Sequence, residues 1–244
     1  MMRLHFWITV ECCFLWVALA LFSPLARGEE KGPQMPVSHT ERQVEGWTVQ
    51  VDERLLEGVG AGKQAMKQLE TRLYEVKRLV PAEKVERLQK VTLWLDQSCG
   101  TLQSPQYHPD AEWLKKHRFD PQLAKCVHIP SADYFLGLRF QREQPLGVLH
   151  ELAHAYHDQV LSFEHAEIKA AWHKFVEGGR YTSVLHANGK KRPHYATVDQ
   201  MEFFAEMTES YFGANDFFPF NTAELQQEEP EIHALMGTIW GPLP

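Results

Sequence analysis

The sequence is short of cysteine, of positive charge and of long apolar runs, and each shortage closes a class of explanation. Only four cysteines occur in 244 residues. Cys12 and Cys13 belong to the N-terminal stretch, which leaves Cys99 and Cys126 for the rest of the chain. Two distant cysteines without a second close pair do not make a zinc knuckle. Lysine and arginine number 25 against 32 acidic residues, a formal net charge of −7. Setting aside residues 1–28, which carry Arg3, Arg27 and Glu11, leaves the balance acidic. Nothing in it points to nucleic acid. No internal repeat is visible. One long apolar run is present, from about Phe6 to Phe22, and Glu11 interrupts it. Its clean part, Cys12 to Phe22, has the length of a signal-peptide core and is short for a membrane span. Ala26-Arg27-Gly28 places small residues where a signal peptidase reads. Cleavage is expected after Gly28, with the mature chain exported (secreted or periplasmic) and no membrane span retained. An uncleaved anchor is the alternative, and Glu11 argues against it. An even pair of cysteines in an exported chain favours a disulfide between Cys99 and Cys126, with two separate thiols as the alternative.

After the signal, residues 29–45 are polar, contain Pro33 and Pro36, and read as a mobile leader. Residues 46–244 have the size of one domain with its own core. Trp47–Val51 alternates like a strand, and Val91–Leu95 and Lys125–Ile129 read as two more. Met66, Leu69, Leu73 and Val76 recur at helical spacing between Lys63 and Leu79, and Pro81 follows. A short helix is expected near Trp113. Longer ones are expected over residues 145–161, 165–177 and 199–212. Asn188-Gly189 marks a turn, and Lys190-Lys191-Arg192 after it reads as a solvated basic tip. A few strands followed by helices suggest an α+β domain: a small sheet, a helix carrying the motif described next, and a helical C-terminal part.

The motif is His150-Glu151-Leu152-Ala153-His154, set in an apolar run. On a helix, positions i and i+4 share a face, so both imidazoles can meet one metal ion. Glu151, rotated about 100° from His150, can reach a water at that ion without ligating it. The pattern supplies two ligands and a general base. As an ordinary core helix it would bury two histidines and a glutamate without partners, at a cost of several kcal/mol.

A third ligand has to come from elsewhere. His157, three positions beyond His154, must reach back over about 4.5 Å of helix rise, which is poor geometry. A pattern with a third histidine further on needs Gly at 157 and His at 160, where this chain has His157 and Val160. His157 therefore reads as an outer-layer or surface histidine. His165, His173, His186 and His194 read as surface histidines. Zinc sites of this type also take a glutamate from a second helix. Glu202, Glu206 and Glu209 share one face of the helix expected over 199–212. Glu202 opens its buried segment and is the preferred ligand. Glu206 suits the role of accepting the free ring N–H of a ligand histidine. Spacing alone leaves the choice between the two open.

His150-Glu151-x-x-His154, then Tyr195, then Glu202-Phe203-Phe204-Ala205-Glu206, resembles the anthrax lethal factor-like zinc metallopeptidases of gluzincin type. The resemblance covers about residues 145–213. It implies a zincin-like fold, a Zn2+ ion held by His150, His154 and Glu202, and Tyr195 at the metal assisting catalysis. Where the family member in view has Asn three residues before its glutamate ligand, this chain has Asp199. The resemblance implies hydrolysis of peptide or protein substrates, with Glu151 as general base, and carries no selectivity. A non-catalytic zincin-like binding domain and a zinc amidase acting on cell-wall amides are the competing expectations.

Overall fold

Trp47, Val49 and Val51 lose all their exposure while the residues between them keep some, the period-two mark of a strand facing a core. In the computed structural model, which describes residues 34–57 and 60–243, that strand lies near one edge of a five-stranded mixed sheet. The strands are β1 (His39–Val44), β2 (Trp47–Asp52), β3 (Leu93–Leu95), β4 (Gln106–Tyr107) and β5 (Val127–Ile129), in spatial order β1-β2-β3-β5-β4. β2, β3 and β5 run parallel, and the edge strands β1 and β4 run antiparallel to their neighbours. A separate hairpin joins β6 (Val184–Leu185) to β7 (Lys191–Arg192).

The helices are α1 (Glu53–Glu57), α2 (Ala61–Leu79), α3 (Ala82–Leu88), α4 (Ala111–Lys116), α5 (Ala132–Leu136), α6 (Leu138–Glu143), α7 (Gly147–Tyr156), α8 (Ala166–Glu177), α9 (Gln200–Phe212), α10 (Thr222–Glu228) and α11 (Pro230–Trp240). The domain is thus α+β. Among the described residues no helix is long and apolar enough to cross a membrane. The expected signal segment, residues 1–28, and the start of the leader lie outside the described residues.

Two expectations need correction. The leader assigned to 29–45 does not stay apart from the domain: from His39 it forms β1, in register with β2. Glu45 and Gly46, both with positive φ, make the two-residue turn of this hairpin. The strand HTERQV carries charge on both faces because it is an edge, where charged side chains discourage further pairing. That leaves no apolar alternation to read. Cys99 and Cys126 are free and buried, not bridged. Cys126 sits in a small cluster with Trp94, Leu114 and Leu123, its thiol against the carbonyls of Gln122 and Ala124. Cys99 lies beside the Met35 sulfur. Burial pushes both thiols up, Cys99 to about 12.

The expected helix over 145–161 is α7 followed by a π-helical turn, His157–Leu161. Its residues from Gly147 to Tyr156 are buried apart from Glu151, which keeps partial exposure. Such wider turns cluster at functional sites. α9 packs along α7. Behind α9, α11 seals the core: Trp240 stacks on Phe204 with ring centres 5.8 Å apart and donates to Thr208 Oγ1 at 2.9 Å. Tyr211 OH donates to the Gly241 carbonyl at 2.8 Å.

α1 and α2 meet at Gly62, where a Cβ would lie 1.8 Å from the Leu55 carbonyl oxygen. Backbone cannot yield there as a flexible side chain would. Gly62→Ala is expected to lower stability by about 1–3 kcal/mol, read as a reduced urea midpoint with an unchanged slope. An unshifted midpoint would show that the two helices separate freely.

Candidate metal centre

Asp199 caps α9, its Oδ1 accepting the N–H groups of Met201 and Glu202 at 2.8 and 2.9 Å. The cap puts Glu202 in the first turn, where the helix dipole favours a negative charge. From there Glu202 Oε2 faces His150 Nε2 at 3.2 Å and His154 Nε2 at 3.3 Å, both on α7. The three residues offer ligand atoms within 4.8 Å of one another. Each histidine keeps 9 % of its surface exposed, so the group opens on a cleft rather than closing on itself.

The chemistry of this donor set can be tested on the ring of His150. Its Nδ1 lies 2.6 Å from Glu209 Oε1, which makes Nδ1 the protonated nitrogen. Nε2 then turns a lone pair towards the Glu202 carboxylate, which His154 Nε2 faces from the other side. Lone pairs facing lone pairs repel unless a cation or a proton stands between them. Two imidazole nitrogens, a carboxylate oxygen and an open side suit a divalent transition metal such as zinc. Without one, a proton takes the place. Burial opposes charge on His150, but hydrogen bonds to Glu202 and Glu209 outweigh it and raise its pKa well above the ordinary value. Burial likewise works against ionised Glu202, and the two histidines overcome it, holding the carboxyl below the usual range.

Glu151 lines the same cleft, and its Oε2 accepts the Tyr107 backbone N–H at 2.7 Å. Burial raises its pKa, against the pull of His150 and His154. Tyr107 belongs to β4, whose outer backbone edge meets the cleft. Its phenol is tied to the π-helical turn by Asp158 at 2.6 Å and Gln159 at 3.0 Å. Tyr195 starts the turn before α9 and lines the cleft with 44 % of its surface exposed. Burial, then the charge of Glu202, pushes its phenol up to about 12. The cleft encloses about 480 Å³.

The structure therefore brings His150, Glu151, His154, Tyr195 and Glu202 together. It does not give Glu206 the role expected of it. Glu206 comes within 4.8 Å of His150 but makes no hydrogen bond with it, and Glu209 holds the ring instead. Seven residues from Glu202 return to within about 20° of its direction, four only to about 40°, so Glu209 is closer to the same stripe. Glu206, packed beside Asp216 and Glu209, has its carboxyl raised well above the usual range by burial and by those neighbours.

Two of the histidines expected at the surface are buried: His186 and His194, at 2 % and 1 % exposure. His194 Nδ1 accepts the Ala196 N–H at 3.1 Å and so fixes the turn that carries Tyr195. Arg192, expected on a solvated tip, instead lines the cleft. Asp96, Cys99 and His128 form another group with metal-capable atoms. There, however, Asp96 already meets His39 Nε2 at 2.7 Å and His128 Nε2 at 2.8 Å, and His108 meets the other nitrogen of His128 at 3.2 Å. Those side chains satisfy one another and tie β1, β3 and β5 together.

His157 is neither a surface nor an outer-layer histidine. It is fully buried between Phe163 and Phe204, and both ring nitrogens lack partners. Comparison of the chain with protein-family models, curated proteins and solved structures finds no match.

Burial lowers the His157 pKa from 6.5 to about 4. Below about pH 6.5 the unfolded chain takes up a proton that the folded one refuses, so stability is lost as pH falls. His157→Leu should lose about 2 kcal/mol less than the parent between pH 7 and pH 5 in urea unfolding. Parallel losses in the two proteins would remove His157 from the account.

Proposed function

We propose that this cleft is the active site of a zinc-dependent peptidase, carried by an exported chain with a zincin-like fold. One observation supports it above the others: two Nε2 atoms and a carboxylate oxygen converge while Glu209 fixes the tautomer that points His150 at them. The resemblance of residues 145–213 to the lethal factor-like peptidases agrees with the same ligand set. The apolar stretch before Gly28 supports export.

His150, His154 and Glu202 would hold the ion, with one position left to solvent and substrate. Zinc, when bound, supplies a Lewis acid that lowers the pKa of an adjacent water to about 7 and polarises a carbonyl. Glu151 takes the proton of the attacking water. The Tyr107 N–H on Oε2 orients that carboxylate and leaves Oε1 for the water. The same carboxyl then hands the proton to the departing amine, so the base is restored. Tyr195, whose raised pKa keeps it protonated at neutral pH, donates to the oxygen that gains charge as the carbonyl is attacked. Glu209 acts through His150: by holding Nδ1–H it keeps the Nε2 lone pair aimed at the ion.

Glu151→Gln is expected to keep zinc and lose about 10²–10⁴ in kcat against a mixed peptide set. Parent-like cleavage by that variant would sink the mechanism. Zinc binding without hydrolysis in the parent would favour a zincin-like binding domain. Cleavage confined to cell-wall amides would favour an amidase. Glu209→Gln should weaken zinc about 10–100-fold in a competitive chelator titration, with Glu206→Gln well short of that. The reverse order would return the supporting role to Glu206.

A further inference from the structure

Beyond the catalytic groups the cleft continues into a recess of about 100 Å³, and Arg192 stands in the wall of both. It is the last residue of β7. Strand alternation sends Lys191 out to solvent and turns Arg192 inward, half-buried. Its guanidinium carbon lies 5.2 Å from the Phe217 ring centre, so the ring face restricts its position. Its Nε is buried and unpartnered, and among the described residues it makes no ion pair. Two carboxylates stand near it. Glu143 pairs with Arg139 at 3.3 Å; Asp216 Oδ2 accepts from His186 Nε2 at 3.2 Å, and its Oδ1 is buried without a partner, within the field of Arg192 but not at ion-pair distance. Asp216 is 6 % exposed and lies in the wall, whereas Arg192 reaches the open space.

A planar guanidinium fork that, among the described residues, no carboxylate meets at ion-pair distance, in the wall of the cleft that Glu151 lines, is suited to receive a carboxylate in two-point contact. We propose that Arg192 is a specificity-determining residue that binds a carboxylate of the peptide substrate. The inference rests on the peptidase reading of the cleft. A peptide can bring that carboxylate on an Asp or Glu side chain or at its C-terminus.

The test uses the zinc-loaded protein and peptides that carry Asp or Glu, their amides Asn or Gln, or Lys, each with a free or an amidated C-terminus. Replacing the recognised carboxylate by its amide should lower kcat/KM by about tenfold or more. Loss on Asp→Asn and Glu→Gln identifies a side chain, and loss on C-terminal amidation identifies the terminus. Arg192→Glu should move the preference to Lys peptides, a gain that an unfolded variant cannot mimic. Binding is read separately, by fluorescence anisotropy of labelled acidic and amide peptides on Glu151→Gln with and without Arg192→Glu. The charge reversal should weaken the acidic peptide by about tenfold or more. Equal handling of acid and amide peptides in both assays, with no shift in Arg192→Glu, overturns the proposal and makes Asp216 the counter-charge of Arg192. Acid-selective binding without any cleavage keeps the carboxylate site and overturns the peptidase reading instead.

Discussion

The site depends on one imidazole held between two carboxylates. His150 has Glu209 at Nδ1 and Glu202 at Nε2, so a single proton position decides what the other nitrogen can do. With the proton on Nδ1, the His150 Nε2 lone pair meets the Glu202 carboxylate oxygen that His154 Nε2 also faces, where α7 and α9 meet. That arrangement is costly when nothing positive fills it, and the cost is what makes it selective for a cation. The same bonds act on the fold, because they cross between the two helices that carry the ligands. Filling the donor set with a cation and packing α9 on α7 would therefore be one equilibrium: whatever loosens α9 against α7 spoils the donor set, and whatever satisfies the donor set draws the helices together.

Much of the remaining architecture constrains these two helices. α11 presses on α9 through Trp240, stacked on Phe204 and hydrogen-bonded to Thr208. Asp199 fixes where α9 begins, and so where Glu202 points. On the opposite side, edge strand β4 contributes a backbone N–H to Glu151 rather than a side chain. A backbone donor cannot change rotamer, and Tyr107 is anchored at its other end to Asp158 and Gln159. Glu151 is thus held by the sheet, and His150, His154 and Glu202 by the helices.

The two helices of the site were legible because their signals are local. Apolar periodicity placed them, and the spacing of His150, Glu151 and His154 assigned their face. What was not legible depends on tertiary position. Glu202, Glu206 and Glu209 share a stripe, and only the approach of α7 decides that Glu209 takes the ring. β1 carries charge because it is an edge, so alternation could not reveal it. β4 and β7 are two residues long, too short for any period, yet one orients Glu151 and the other turns Arg192 inward. Cys99 and Cys126 each lie against their own neighbours, a placement that counting cysteines does not contain.

The acids behind the metal centre make sense in the same terms. Glu206, Glu209 and Asp216 are buried together, and burial raises all three carboxyls, with repulsion from Asp216 adding to Glu206 and Glu209 and repulsion from Glu143 adding to Asp216. Three ionised groups there would pull protons onto His150 and compete with a metal for Nε2. Holding some of them neutral limits that pull while Glu209 still accepts the Nδ1 hydrogen. His194, lowered to about 3 by burial, adds no positive charge to the same wall. The permanent cation among the residues lining the cleft is then Arg192. Fixed positive charge among the residues that line the cleft thereby rests on Arg192 and not on the imidazole nitrogens.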